Sequence, residues 1–300
     1  MAALTSNTIA STYLGLLKTS DSAARGAEGS ADQCSDGAGN TIPLFVSATE
    51  IYAVGSGTGT SHTAFGKDCG VDLAAGTGNS LFGEGAGADV STGEHNVAVG
   101  YHALYQGTTE TDDNVAIGYN AMSGAWTTAA VNDCVVIGSG AGAGALVAAA
   151  SGLTAVGKGA AAAVTSGIEN TAIGYGALDA ATDADYNTAV GHNSLSAVNA
   201  SNAGGNTAIG AASGLLLTDG VANTALGHAA LAGDDVGDYS TAVGSGSLRF
   251  QNYASGTTSG NTAVGYISGR FNVTGVNNTY IGYQAGRGVT TESQSHNTAV

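Results

Sequence analysis

This 300-residue chain has one proline, three cysteines, one tryptophan and only seven basic residues. A single proline among 49 glycines excludes a collagen helix, which needs glycine at every third position and abundant proline. Cys34, Cys69 and Cys134 are odd in number and widely separated, so neither a disulfide framework nor a zinc site is indicated. No apolar run reaches the length of a membrane-spanning helix without Gly, Ser or Thr breaks. The N-terminal stretch lacks the early basic residue and unbroken apolar segment of a secretory signal. Seven basic against 23 acidic groups give a net charge of −16, which repels nucleic acid and anionic membrane surfaces alike. With 43% apolar residues there is nevertheless material to bury, so charge-driven disorder is excluded too.

A repeat fills the space these absences leave. Asn96-Val-Ala-Val-Gly100-Tyr-His-Ala-Leu104 returns as Asn114-Val-Ala-Ile-Gly118-Tyr-Asn-Ala-Met122, and again at 170–178, 187–195, 223–231 and 278–286. Weaker copies centre on Gly55, Gly66, Gly83, Gly138, Gly157, Gly210, Gly244 and Gly265, and a fifteenth begins at Asn297. From Gly66 onward, successive central glycines lie 17 to 21 residues apart. That period is too short for helical repeats or propeller blades and selects a solenoid.

Seventeen residues accommodate two strands of four to six residues and two tight turns. The residue before the central glycine is apolar in all fifteen copies, and the one before that is alanine in twelve. Alternation along a strand points these two columns in opposite directions. The Val/Ile/Phe column is expected inside, and the alanine column pressed against a neighbouring chain. Asparagine four places before the glycine suits a turn residue that stacks as an amide ladder. The glycine suits a positive φ or a close backbone approach. A coil this small hides too few side chains to stand alone, so a homotrimer is expected.

The pattern N-[TV]-A-[VI]-G-Y-x-[AS]-[LG] over residues 51–300 resembles the head repeat of trimeric autotransporter adhesins, and more closely the related repeats of tailed-phage fibres. The resemblance implies an all-β fold, a parallel β-roll or β-solenoid of 17–21-residue coils, left-handed and trimeric. The departure is length, since adhesin heads use shorter coils. Residues 1–50 lack the repeat. Within them, Asn7 to Lys18 resembles the opening of phage fibre proteins that attaches the fibre to the virion. Ile9, Tyr13, Leu14, Leu16 and Leu17 would carry that contact, on a short helix with an apolar stripe. Thr19 to Asn40 reads as linker and Ile42 to Val46 as a first strand. The chain stops at Val300 inside a repeat, so the fibre is expected to continue beyond it.

The function implied is that of a structural tail fibre, a trimeric rod supporting host adsorption. Its partners would be a virion adaptor, tail or baseplate protein at the N-terminus and a host cell-surface glycan or protein. It would be made in the host cytoplasm and built into the virion. No enzyme activity, cofactor or metal is expected, and neither nucleic acid nor membrane insertion. A bacterial trimeric surface adhesin and the non-catalytic shaft of a glycan-degrading tailspike are the alternatives.

Motifs that suggest chemistry dissolve into the repeat. Gly152 to Lys158 fits seven positions of a phosphate-binding loop, but Gly159 stands where a Ser or Thr should hold Mg²⁺. The acidic groups Glu110/Asp112/Asp113, Asp179/Asp183/Asp185 and Asp234/Asp235/Asp238 fall between cores, and are read as solvated turns. His102, His192 and His228 share a mixed, outward set of positions with Tyr101, Tyr119, Tyr175, Tyr266 and Tyr283. Arg249, Arg270 and Arg287 each lie five residues after a central glycine in consecutive coils, with Phe250 and Phe271 following two of them. They form a column suited either to carboxylates of a neighbouring chain or to an anionic glycan or partner protein. Trp126, in a longer inter-core segment, is a further contact candidate.

Overall fold

The computed structural model describes residues 62–71, 73, 76–106, 111–124, 130–147, 150–199, 203–253, 257–288 and 294–300, with strand backbones at 32–35, 41–46 and 52–53. Trp126, Ile9, Tyr13, Leu14, Leu16 and Leu17 lie outside the described residues. The chain divides into two compact units, Met1–Tyr52 and Ala53–Val300.

Among the described residues every regular element is a strand, and no helix is long and apolar enough to cross a membrane. In chain order they are β1 (Asp32–Ser35), β2 (Thr41–Val46), β3 (Tyr52–Ala53), β4 (Thr63–Phe65), β5 (Ser80–Phe82), β6 (Val97–Val99), β7 (Val115–Ile117), β8 (Val135–Ile137), β9 (Thr154–Val156), β10 (Thr171–Ile173), β11 (Thr188–Val190), β12 (Thr207–Ile209), β13 (Thr224–Leu226), β14 (Gly237–Asp238), β15 (Thr241–Val243), β16 (Thr257–Thr258), β17 (Thr262–Val264), β18 (Thr279–Ile281) and β19 (Thr298–Ala299). In the first unit β1 pairs antiparallel with β2. The segment read as linker, Thr19 to Asn40, therefore contains a strand, β1, and the strand expected at Ile42–Val46 is β2.

In the second unit β4 to β13, β15 and β17 to β19 add in chain order to one parallel sheet. Each strand pairs with its equivalent in the next coil: Thr171 faces Thr188, Ala172 faces Ala189, Ile173 faces Val190. Such pairing of consecutive equivalent strands is a parallel β-solenoid. Thirteen steps from β4 to β19, at about 4.8 Å each, span about 60 Å.

Two expectations about the coil are corrected. Each repeat core contributes one three-residue strand, not two of four to six. The return limb is a run of turns, tied to its neighbours by backbone bonds such as Leu178 N–H to Ser194 O, 3.0 Å, and Leu195 N–H to Ser213 O, 3.0 Å. The second correction reverses the two faces. Ala98, Ala116, Ala155, Ala172, Ala189, Ala208 and Ala242 are all fully buried, whereas Phe65, Phe82, Val99, Ile173, Ile209, Leu226, Val264 and Ile281 are 37–48% exposed. The central residue of a three-residue strand points inward and its two neighbours outward. The alanine column is the interior and the Val/Ile/Phe column is the outer face of the sheet.

Alanine fits inside because the coil is thin and a larger side chain comes from the other limb. Four residues after the central glycine stand Leu104, Met122, Leu178, Leu195, Leu231 and Leu248, all buried. Where the strand centre is large, this position is glycine. Leu81 is matched by Gly87, Val136 by Gly142, and Tyr280 by Gly286. A Cβ at Gly286 would stand 1.9 Å from Tyr280 Cδ1, and one at Gly87 2.7 Å from Leu81 Cδ2. In these three coils the large strand residue is offset by the glycine, while Gly214 and Gly269 make room for Leu195, Leu248 and Tyr280 of adjacent coils, as close packing demands.

The asparagine ladder is present. Asn96 donates its backbone N–H (2.8 Å) and its Nδ2 (3.0 Å) to Asn79 Oδ1, and Asn114 does the same to Asn96 Oδ1 at 3.1 Å for both. Each amide also closes its own coil, as Asn96 Nδ2 does onto Thr111 O at 2.6 Å. The ladder resumes at Asn170–Asn187–Asn206–Asn223 and at Asn261–Asn278–Asn297. In the gap, Cys134 donates its backbone N–H to Asn114 Oδ1 at 3.0 Å, and burial pushes its thiol up to about 11. That thiol is structural and inert as a nucleophile at neutral pH.

Candidate functional site

Three features lie off the repeating plan: the acidic turns, a buried polar cluster, and the arginine–phenylalanine column. Each acidic turn contributes one structural aspartate, while Glu110 lies outside the described residues. Six residues before their central glycines, Asp112, Asp185 and Asp238 accept the backbone N–H of Glu94, Ile168 and Val221 in the preceding coil, at 2.8–2.9 Å. Asn132 does the same for Asp112 N–H at 2.8 Å. These side chains clamp one coil to the next, a role the sequence reading as solvated turns missed. Among the described residues no three His, Cys, Asp or Glu side chains converge as a metal site. His192 and His228 are exposed, and His102 is half-buried, stacked between Tyr101 and Tyr105 with centroids 3.9 and 4.1 Å away. The five tyrosines of the column after the glycine are exposed, as expected of an outward position.

Asp234 departs from the expected solvated turn most sharply, because it is fully buried. Seven residues after a central glycine the chain points inward, and there Leu217 is followed by Asp234, Gln251 and Asn272 in successive coils. Asp234 accepts from Gln251 Nε2 at 2.6 Å and from Gly237 N–H at 3.1 Å. Gln251 Nε2 also reaches Ser240 Oγ at 2.9 Å, and Gln251 Oε1 accepts from Asn261 Nδ2 at 2.8 Å. Ser240 occupies the ladder position, and Gln251 supplies the amide that it lacks. The cluster is a splice in the asparagine ladder.

Burial pushes the Asp234 carboxyl up to about 6, with Asp238 adding repulsion and the hydrogen bonds opposing the rise. A carboxyl raised on folding binds its proton more tightly in the folded state. Its contribution is therefore present below the unfolded value near 4 and is lost as pH rises through about 6. A shift of about two units corresponds to roughly 3 kcal/mol. Asp234→Asn should remove that loss but forgo one charge-assisted bond from Gln251, a net gain of about 1–2 kcal/mol above pH 7. Urea denaturation of both proteins at pH 4, 5, 6 and 8 checks it. The stability difference should favour the variant progressively as pH rises, and a pH-independent difference would refute the assignment.

The arginine column is assembled by the coil register. Gly233 N–H donates to Arg249 O at 2.8 Å, Phe250 N–H to Arg270 O at 3.1 Å, and Phe271 N–H to Arg287 O at 3.1 Å. Phe250 and Phe271 stack with centroids 5.2 Å apart and planes 8° from parallel. The Arg249 guanidinium lies 5.4 Å from the Phe250 ring, and that of Arg270 lies 5.5 and 5.4 Å from the Phe250 and Phe271 rings. The Arg287 guanidinium donates to Gln284 Oε1, at 3.5 Å. The ion pairs among the described residues are Lys67–Asp68, Lys67–Glu84 and His95–Asp113, so none of the three arginines pairs with a carboxylate of those residues.

Searches of the chain against protein-family models, curated proteins and solved structures find no match.

Proposed function

We propose that this chain is a structural fibre protein of a tailed phage, in which three copies pack side by side into a rod that projects from the virion and supports host adsorption without catalysis. The observation that carries the reading is the outward apolar column. Phe65, Phe82, Val99, Ile173, Ile209, Leu226, Val264 and Ile281 are half exposed on a single chain, and the strand register aligns them from coil to coil. A continuous apolar stripe of this length marks an association surface. A second and third copy bring the same stripe at the same rise, so the contact repeats coil by coil. The homotrimer inferred from the alanine column thus rests instead on its outward neighbour.

Stiffness suits the role. Each coil is joined to the next by the parallel strands, by turn-limb bonds and by the asparagine and aspartate side chains, so tension along the axis is shared by many parallel bonds. The segment carrying Ile9, Tyr13, Leu14, Leu16 and Leu17 would seat on a virion adaptor, tail or baseplate protein.

Antibodies raised against residues 62–300 test the assignment by immunogold labelling. Gold on fibres of purified virions, together with blocked adsorption, is the expected result. Gold confined to a bacterial envelope would replace it with the surface-adhesin reading. Polysaccharide-depolymerising activity in the labelled virion fibres would replace it with that of a tailspike shaft.

A further inference from the structure

Among the described residues the arginine column has no carboxylate partner. Three of the seven basic residues of a chain with net charge −16 stand in one file on three successive coils, about 4.8 Å apart. Like charges at that spacing repel one another, and no carboxylate of the described residues relieves them. Arg287 is exposed, and Arg249 and Arg270 are half-buried along the phenylalanine rings. Arg270 Nε is buried without a hydrogen-bond partner. The aromatic pair is an unlikely filler of a surface turn, since Phe250 is 39% exposed. The positions equivalent to Phe250 and Phe271 in the flanking coils are Gly233 and Gly288, so neither flanking coil extends the two-ring stack with a side chain at that position.

We infer that Arg249, Arg270 and Arg287, with Phe250 and Phe271, form a binding strip for an acidic polysaccharide lying along the solenoid axis. The inference rests on the fibre reading for its biological setting and names the class of surface ligand such a fibre would meet. The chemistry is specific in three respects. Guanidinium forks pair with carboxylates in a planar, two-bond geometry. A chain of uronic acids presents one carboxylate per sugar, at a rise comparable to that between coils. Aromatic rings offer the flat apolar face on which the C–H side of a pyranose ring rests. Duplex nucleic acid carries denser charge and a wide cylinder, which the surrounding acidic surface repels. The strip lies on the turn limb, not on the strand face assigned to chain–chain contact, so both surfaces are usable in one rod.

Binding of oligogalacturonate to the full chain, measured by calorimetry at low and physiological salt, tests the strip. Fully methyl-esterified oligogalacturonate serves as the uncharged control, and a DNA oligonucleotide of similar length as the other polyanion. Saturable binding of the acid form, absent for the ester and weaker for DNA, is expected. Arg249→Gln/Arg270→Gln/Arg287→Gln should weaken it by about 20-fold or more, and Phe250→Leu/Phe271→Leu by several-fold, with melting curves and sedimentation mass unchanged. No binding by the parent chain, equal binding by the triple variant, or a preference for DNA would overturn the inference. If virions are labelled but oligogalacturonate does not bind, the strip fails and the fibre reading stands. If it binds but virions are not labelled, the reverse holds.

Discussion

Gly191→Ala should destabilise the solenoid by about 4 kcal/mol or more, the range reached only when backbone itself must give way. Gly191 has φ +137°, and a Cβ there would lie 2.5 Å from Gly210 O and 2.6 Å from Gly210 C. Neither atom is free to retreat. Gly210 N–H donates to Val190 O at 2.7 Å, and Gly191 N–H to Ile173 O at 2.7 Å. Relief therefore means parting two coils and surrendering several ladder bonds at once. Gly159→Ala is the matched control, with a positive φ of +66° but nothing within 4 Å of the new Cβ. It should cost only about 1 kcal/mol. Because each coil contacts only its neighbours, Gly191→Ala should also divide one urea transition into two. Equal midpoints for the two variants would show that close approach of successive glycines is not what holds the coils at their spacing.

The same glycine shows what could be read from the sequence. Its recurrence at 17 to 21 residues gave the coil, and its requirement for positive φ or close approach proved to be both at once. The asparagine ladder was equally legible, since a side-chain amide repeating every coil has few uses other than bonding its copy. The sidedness of the strand was not. Parity separated Ala172 from Ile173 correctly, but size was taken as a guide to burial, and in a thin coil it points the wrong way. Ala172 lies inside because Leu178 shares the same layer, a pairing across six residues that only the turn geometry reveals. A signal was nonetheless available in the exceptions, because Leu81, Val136 and Tyr280 each coincide with a glycine six residues later. Asp234 was misplaced for a similar reason. Charge suggested solvent, whereas its alignment with Leu217, Gln251 and Asn272 placed it inside. The arginine column needed no such correction, since three cations at the coil spacing must stack wherever the coil faces.

Ile173→Glu/Ile209→Glu should abolish assembly and leave the single-chain fold intact. Both side chains point outward and are about 40% exposed in one chain, so the substitutions bury nothing new within it. In a trimer, each isoleucine lost forgoes roughly 1–2 kcal/mol of apolar burial. Each glutamate adds a desolvated carboxylate facing two others, at a cost of several kcal/mol. Summed over three chains, that penalty outweighs the surplus that holds a typical assembly together. Tyr175→Glu/Ala211→Glu, in the same two coils but on the exposed column after the glycine, adds equal charge and should leave the assembly intact. Sedimentation velocity gives the mass and circular dichroism the strand content. The parent and control should sediment at three times the mass of the double isoleucine variant, with one common spectrum. A parent chain that is already a stable monomer would remove the trimer, and a trimeric Ile173→Glu/Ile209→Glu protein would move the contact to another face. The contrast matters because the interior of the solenoid is built largely from alanine and a few larger side chains per coil. In the proposed trimer further burial comes from the outward Val/Ile/Phe column, which association would remove from water.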